Sequence, residues 1–180
     1  KKEIVSADGL VIPGVGAFKH GMDKLEKLDL ISFIQDYSIT ERPILGICLG
    51  MQMLFSRSSE FGVSNGLNLI EGSVDKISNA GQKLKLPHVS WNCLIENRIA
   101  WKNTILDSIG KENFMYFVHS FVASPVDKNN ILSMTQYEGI EFCSTVKKNN
   151  IYGCQFHPEK SADQGLQILK SFSYICEEIL

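Results

Sequence analysis

A cysteine between two glycines, at the junction of a predicted strand and a predicted helix, most restricts how this chain can fold. The motif is Gly46-Ile47-Cys48-Leu49-Gly50-Met51-Gln52. The apolar residues 43–47 predict a buried strand, and the helix formers in residues 49–55 predict a helix. Such a junction has the geometry of a nucleophile elbow, a turn too tight for side chains at the two glycines. The motif therefore predicts an α/β fold in which Cys48 stands clear of the sheet.

The elbow alone leaves two interpretations of Cys48 open. Backbone N–H groups at a helix start favour a thiolate over a thiol, and the thiolate is the nucleophile. The alternative is a buried apolar thiol, because cysteine is among the residue types most often found in protein cores. A second motif, His157-Pro158-Glu159, favours the nucleophile.

His157 and Glu159 follow an alternating segment, residues 151–156, that predicts a strand. Pro158 interrupts this strand, so the histidine and the carboxylate are expected at the mouth of the sheet. Two positions apart in an extended segment, both side chains point the same way. A carboxylate so placed holds an imidazole in one tautomer and stabilises its cation. Although a lone histidine is more often structural, this pattern favours Cys48, His157 and Glu159 acting together.

Composition argues against several other classes of protein. With 180 residues, 44% of them hydrophobic, one domain over residues 1–180 is expected. A net charge of −2 without a dense Lys/Arg cluster argues against a nucleic-acid surface. No apolar stretch approaches the roughly 20 residues of a membrane span, and no signal peptide opens the chain. Five cysteines without a C-x-x-C pair favour neither disulfides nor a metal site, so a reducing cytoplasm is expected.

The order of predicted elements is typical of an α/β fold. A short strand over residues 9–12 precedes two helices, over residues 18–28 and 29–37. A helix over residues 162–180 closes the chain. The predicted strands in between cover residues 67–70, 74–77, 84–89, 114–118, 131–137, 142–146 and 151–156. The inner face of the last helix is predicted to carry Leu166, Leu169, Phe172, Ile175 and Ile179.

Several segments together resemble class I glutamine amidotransferases. They are Pro13-Gly14-Val15-Gly16-Ala17-Phe18, the Cys48 elbow, Tyr116-Phe117-Val118-His119-Ser120 and Gln155-Phe156-His157-Pro158-Glu159-Lys160-Ser161. With Leu86-Pro87-His88-Val89-Ser90-Trp91-Asn92, the chain is similar to the glutaminase subunits of imidazole glycerol phosphate synthase. The resemblance implies a three-layer α/β fold with a flavodoxin-like sheet. In the family this fold begins earlier, with a further strand and helix.

The resemblance implies that Cys48, His157 and Glu159 hydrolyse glutamine to glutamate and ammonia, without a cofactor or a metal. The oxyanion formed in this reaction needs preset N–H donors. One would be Leu49, and the others would come from Gly14, Val15 and Gly16, where glycines can turn N–H groups inward. An ordinary turn or a phosphate cradle is the alternative for this loop, which lacks the Lys-Ser/Thr of a P-loop.

By the same resemblance, Gln52 and Glu60 would bind the α-amino and α-carboxylate end of glutamine. Ser120 and Phe121 would add backbone contacts. The alternative is that Gln52 merely lies on the elbow helix and Glu60 on a solvated loop. Two further histidines are expected to have no catalytic role: His119 as a structural residue and His20 on a helix surface.

The resemblance also implies a partner, a TIM-barrel synthase/cyclase subunit that receives ammonia and makes imidazole glycerol phosphate and AICAR in histidine biosynthesis. Residues 86–92 are the expected docking edge, because an exposed tryptophan is typical of interface anchors. The residues expected to contact this partner are His88, Trp91, Asn92 and Lys160.

Ser90 stands where this branch usually has glycine, so other functions stay open. The alternatives are a paralogue supplying ammonia for amidino-sugar synthesis, a non-catalytic docking relative, and a hydrolase of γ-glutamyl peptides or small esters.

Overall fold

A six-stranded mixed sheet organises the fold in the computed structural model, which describes residues 6–78, 84–110 and 113–178. Its strands are β1 (Leu10–Gly14), β2 (Ile44–Cys48), β7 (Ile95–Glu96), β10 (Ile131–Tyr137), β11 (Ile140–Lys148) and β12 (Ile151–Cys154). Their order in the sheet is β1-β2-β12-β11-β10-β7, with β1, β2 and β12 parallel and the other pairs antiparallel.

The register of the three parallel strands places their carboxyl ends side by side. Gly14 at the end of β1 pairs with Cys48 at the end of β2, and Cys154 of β12 pairs with Ile47. All residues of β2 and β12 are buried, as expected for parallel strands covered on both faces. Ligands of open α/β sheets bind outside this edge of the strands, so the register defines where a site would lie.

Two smaller sheets extend the molecule beside the main sheet. Their strands are β3 (Phe55–Ser58), β4 (Ser64–Asn65), β5 (Ile70–Lys76), β6 (His88–Cys93), β8 (Phe114–His119) and β9 (Phe121–Pro125). One sheet has the order β4-β3-β5-β9, and the other is the two-stranded pair of β6 and β8, here called the ribbon. Ser120 alone separates β8 from β9, so the ribbon and the four-stranded sheet meet there.

Helices cover the main sheet on both faces. They are α1 (Phe18–Lys27), α2 (Ile31–Ile39), α3 (Leu49–Met53) and α4 (Ala162–Glu178), with short 3₁₀ turns at Lys128–Asn130 and Pro158–Lys160. Neighbouring residues of β2 enter different cores, Ile44 on one side of the sheet and Leu45 on the other. The α/β fold class is thus confirmed, and no helix in the described parts of the chain could cross a membrane.

The inner face of α4 differs from its prediction. Its buried residues are Gly165, Ile168, Phe172 and Cys176, whereas Leu166 is 54% exposed. Leu169 and Ile175 are partly buried beside this stripe, and Ile179 lies outside the described residues. Gly165 sets the rotation of the helix, because a Cβ there would lie 2.0 Å from the carbonyl oxygen of Pro158.

Several predicted strand limits were wrong. Residues 67–70 and 74–77 were predicted as two strands, but one strand, β5, begins at Ile70 and continues to Lys76. The strand predicted over 84–89 begins only at His88 and extends to Cys93. The predicted elbow helix ends at Met53, because Phe55–Ser58 forms β3 instead. Sheet pairing with distant segments decided these limits, and local propensity does not contain it.

Candidate active site

The predicted elbow is present and tight. Cys48 joins β2 to α3 with φ 53° and ψ −108°, a left-handed conformation that is strained for a side-chain-bearing residue. A Cβ on Gly46 would lie 2.7 Å from the carbonyl group of Gly50. A Cβ on Gly50 would lie 1.6 Å from the carbonyl oxygen of Ile12. Both glycines are therefore required by close backbone contacts, as the sequence motif predicted.

Burial keeps the Cys48 thiol protonated. Burial raises its pKa to about 11, and the backbone N–H of Leu49 only partly offsets this effect. Glu159 acts in the same direction as burial, while Lys160 opposes it. The N–H at the helix start thus favours the thiolate, as expected, but desolvation has the larger effect.

His157 and Glu159 form the expected pair, but in a different backbone conformation. Strand β12 ends at Cys154, and Pro158–Lys160 is a 3₁₀ turn rather than an extended segment. The turn brings Oε1 of Glu159 to 2.8 Å from Nδ1 of His157. Because a carboxylate only accepts, Nδ1 of His157 carries the proton in this contact. Nε2 is buried and has no hydrogen-bond partner among the described residues.

Backbone contacts fix the position of His157 relative to the ribbon. Its N–H donates to the carbonyl oxygen of Tyr116 on β8 at 3.0 Å. The Ser161 hydroxyl donates to the carbonyl oxygen of His157 at 2.6 Å and accepts from the N–H of Tyr116 at 2.9 Å. Only 3% of the His157 surface is exposed, so contacts within the protein set the orientation of its imidazole.

A cavity of about 520 Å³ gathers most of the candidate residues at the ends of β2 and β12. Cys48 and His157 line it together, so the candidate nucleophile and base face one space. The residues predicted from sequence that line it are Val15, Gly16, Cys48, Leu49, Gln52, Glu60, Ser120, Phe121 and His157, and His119, which was expected to be structural, also lines it. Gly14 and Glu159 instead line a neighbouring space of about 330 Å³ that Val15 and His157 also border.

Sequence reasoning missed some lining residues, notably Lys76, Pro87 and Val118. Lys76 ends β5 opposite Phe121 of β9, so it reaches the cavity only through sheet pairing. Among the residues that line this cavity, Glu60 and Lys76 bear opposite formal charges. No local pattern around Lys76 distinguishes it from an ordinary exposed strand residue.

The candidate oxyanion segment is partly strand and partly loop. Pro13 and Gly14 belong to β1, so only residues 15–17 form the connection to α1, contrary to the expected four-residue loop. Gly16 has φ 99°, which requires glycine, and Val15 is 75% exposed. Oε2 of Glu60 accepts a 2.7 Å hydrogen bond from the N–H of Phe18. Glu60 therefore lines the cavity and also anchors the end of this loop.

Gln52 lies on α3 and is 6% exposed. Its Nε2 donates to the carbonyl oxygen of Phe121 and to Oε1 of Gln155, both at 3.1 Å. Nε2 of Gln155 lies 3.9 Å from Sγ of Cys48. Gln52 is thus tied into a network beside the sulfur and is more than a residue on the elbow helix.

The ribbon presents an apolar face next to this site. The pairs Val89–Val118, Trp91–Tyr116 and Cys93–Phe114 lie on one side of it. Val89, Trp91 and Phe114 are 53%, 47% and 50% exposed. The Trp91 and Tyr116 rings lie 5.9 Å apart, and Tyr116 lies 6.5 Å from His157.

The predicted docking residues are not all on the surface. His88 is fully buried, so the expectation that it offers surface to a partner is wrong, because alternation along β6 turns it inward. Trp91 and Lys160 are exposed and Asn92 is half-buried. His20 is exposed on α1, as expected.

The structure thus places a cysteine elbow beside a histidine–carboxylate pair that follows the neighbouring parallel strand of an α/β sheet. The chain matches the class-I glutamine amidotransferase family over residues 1–176, and it belongs to that family. Solved structures share the fold. A structure described as a glutamine amidotransferase has a TM-score of 0.68 at 16% identity, covering 98% of this chain and 84% of the other. The glutaminase domain of Trypanosoma brucei CTPS has a TM-score of 0.60 at 18% identity, covering 98% and 74%.

Two curated relatives are more similar in sequence. The imidazole glycerol phosphate synthase subunit HisH 1 of Legionella pneumophila (strain Paris) is 46% identical over 179 residues, which cover 97% of this chain and 84% of that protein. The subunit HisH of Bacillus thuringiensis subsp. konkukian (strain 97-27) is 44% identical over 178 residues, covering 98% and 81%.

Proposed function

We propose that this chain is the glutaminase subunit of an imidazole glycerol phosphate synthase. It hydrolyses glutamine to glutamate and ammonia, and the ammonia passes to a TIM-barrel synthase/cyclase subunit. The observation that carries the proposal is the cavity shared by Cys48, His157 and Gln52 at the strand ends. Family membership and the 44–46% identity to HisH subunits support it.

In the proposed reaction, Nε2 of His157 takes the proton from the Cys48 thiol as the sulfur attacks the glutamine carboxamide. Glu159 stabilises the imidazolium that forms. The N–H of Leu49 and an N–H from residues 14–16 bind the oxyanion. The imidazolium then protonates the leaving ammonia, and His157 activates a water molecule that hydrolyses the γ-glutamyl thioester.

The charged residues of the cavity suit the other end of an amino-acid substrate. Glutamine carries an α-ammonium and an α-carboxylate, and the cavity offers Glu60 and Lys76 as their opposite charges. Glu60 binds the ammonium in this proposal while it anchors Phe18 at the end of the loop. Ser120 and Phe121 border the same space.

The apolar face of the ribbon is the proposed docking surface for the barrel. Exposed Val89, Trp91 and Phe114 make it larger than scattered surface apolar residues would be. Lys160 is exposed on the turn that carries Glu159, and in this proposal it adds a charged contact to the barrel. A barrel docked here would cover the ribbon directly beside His157.

The test is a glutaminase assay on the full-length protein, first alone and then with its cognate barrel partner plus acceptor substrate. Glutamate formation that depends on Cys48 is expected, and 6-diazo-5-oxo-norleucine should alkylate Cys48 alone among the five cysteines. If mass spectrometry detected the label on another cysteine, or if Cys48→Ala kept full activity, Cys48 would not be the nucleophile.

Because Ser90 stands where this branch usually has glycine, one alternative function remains, that of the paralogue supplying ammonia for amidino-sugar synthesis. The Ser90 hydroxyl donates to the carbonyl oxygen of Trp91 at 3.3 Å, within the proposed docking segment. Copurification of the native protein decides between the two pathways. A bound barrel that converts its acceptor to imidazole glycerol phosphate supports the histidine pathway. A bound partner that makes an amidino sugar would instead support the paralogue.

A further inference from the structure

Two buried histidines that the proposed reaction does not use, His88 and His119, are paired on the ribbon, and His119 also lines the cavity. His88 has 0% and His119 has 6% of its surface exposed. Nδ1 of His88 lies 3.1 Å from Nε2 of His119. Buried polar atoms are stable only when hydrogen-bonded, so these contacts determine which ring nitrogens carry protons.

On the cavity side, a continuous series of polar contacts joins His119 to Cys48. Nδ1 of His119 lies 2.9 Å from the carbonyl oxygen of Phe121. The same oxygen accepts from Nε2 of Gln52 at 3.1 Å, and that nitrogen also donates to Oε1 of Gln155 at 3.1 Å. Nε2 of Gln155 lies 3.9 Å from Sγ of Cys48. The orientation of two amides beside the nucleophile therefore depends on the Phe121 carbonyl.

On the ribbon side, the series ends at a half-buried asparagine. Nε2 of His88 lies 2.8 Å from Oδ1 of Asn92, and Nδ2 of Asn92 donates to the carbonyl oxygen of Gln136 at 3.0 Å. His88 is also stacked on Tyr137, with ring centroids 4.0 Å apart. A neutral His88 has a single N–H, so it can donate to Asn92 or to His119 but not to both.

The contact with Phe121 assigns the tautomer of His119. A carbonyl oxygen only accepts, so Nδ1 of His119 must donate to Phe121, which leaves Nε2 of a neutral His119 as an acceptor. Burial lowers the pKa of both imidazoles, that of His119 to about 3, with a smaller contribution from His88. Both rings are therefore neutral near pH 7.

We propose that His119 is a positioning residue for glutamine hydrolysis, held as its Nδ1–H tautomer. His119 fixes the Phe121 carbonyl, and that carbonyl fixes Gln52 and Gln155 beside Cys48. The inference rests on the proposed glutaminase activity and deepens it, because it gives a residue outside the chemistry a role in forming the substrate cavity.

The first test measures the tautomer of His119 directly in the unmodified full-length protein. Two-bond ¹⁵N–¹H correlation spectra near pH 7 are expected to show a neutral Nδ1–H ring for His119, with the spectrum of His119→Asn identifying its resonances. An Nε2–H ring or a cationic ring at His119 overturns the proposal. This result does not depend on turnover, so it stands apart from any failure of the proposed activity.

The second test separates positioning from simple packing. His119→Asn keeps a donor close to the place of Nδ1, whereas His119→Phe keeps the ring and removes the donor. We expect the phenylalanine variant to raise KM for glutamine about five- to tenfold, the size of one lost hydrogen bond, with kcat changed less. We expect the asparagine variant to recover most of that loss.

Near-ultraviolet circular dichroism and Tm provide the control for folding in both variants. An unchanged KM in His119→Phe, or equal losses in both folded variants, overturns the positioning role. If the phenylalanine variant does not fold, the tautomer spectra of the unmodified protein still decide the inference. Glutamine turnover absent from the unmodified protein and its barrel complex would instead refute the proposed function.

Discussion

At the scale of single residues, burial favours the protonated form of Cys48, the proposed nucleophile. Because burial raises the pKa of Cys48 to about 11, its thiolate fraction grows as pH rises toward that value. Without a partner, we expect alkylation of Cys48 by iodoacetamide to accelerate about tenfold per pH unit between roughly pH 7 and 10. Mass spectrometry of the labelled peptide measures this rate, with Cys48→Ala as the blank. A rate that levels off near pH 8 would show that the thiol is not shielded as the structure indicates.

The His157–Glu159 pair gives a second prediction at this scale. Glu159→Gln removes the carboxylate charge at the 2.8 Å contact but leaves the imidazole that carries protons. We expect kcat to fall by about 10- to 100-fold, less than in His157→Ala, where the proton carrier itself is lost. Steady-state kinetics on folded variants decide this. Equal losses would give Glu159 a more direct chemical role, and no loss would exclude it from a triad.

At the scale of elements, Glu60 joins the loop before α1 to the substrate cavity. Glu60→Gln removes the charge but keeps an oxygen that can accept from Phe18, whereas Glu60→Ala removes both. We expect the glutamine variant to raise KM about tenfold through the lost charge, and the alanine variant also to lower kcat because the loop is released. Identical kinetics in the two variants would show that the loop does not depend on Glu60.

The ribbon carries the fourth prediction. Trp91 is 47% exposed and lies beside Tyr116, so it is placed to anchor a docked barrel. Trp91→Ala should weaken assembly about 10- to 100-fold in Kd, as expected for a central aromatic anchor. Isothermal titration calorimetry with the barrel measures this, and Ile39→Ala on α2, where Ile39 is 79% exposed, is the matched control. Equal effects of the two substitutions would place the interface elsewhere.

The elements show what a sequence can predict and what it cannot. The Cys48 elbow follows from glycines and apolar residues that are neighbours in sequence, and the structure contains it. The end of β12 was less well predicted, because the segment that brings Glu159 to His157 is a turn and not the expected extended chain. The positions of Lys76 and His88 could not be predicted. Sheet pairing brings Lys76 to the cavity, and it turns His88 into the protein interior. Contacts between distant segments are absent from local patterns.

At the scale of the whole molecule, we expect two features to keep the isolated site in a resting state. The nucleophile is protonated and buried, and the loop at Val15 and Gly16 has a backbone that can reorient at little cost. The loop borders the cavity, while the ribbon beside His157 offers the docking face. A barrel bound at the ribbon can therefore favour one loop orientation only by binding that state more tightly.

This arrangement leads us to expect that the full-length protein alone hydrolyses glutamine very slowly, and that its barrel with acceptor substrate raises kcat about 10²- to 10³-fold. Such a gain corresponds to roughly 3 to 4 kcal/mol, a reasonable value for one completed oxyanion donor. The increase should lie in kcat more than in KM, because the donor acts on the transition state. Gly16→Ala offers a check, since alanine is strained at the observed φ of 99° and should change the resting and activated rates by different factors. Full glutaminase activity in the purified protein, with no partner present, would exclude this form of control.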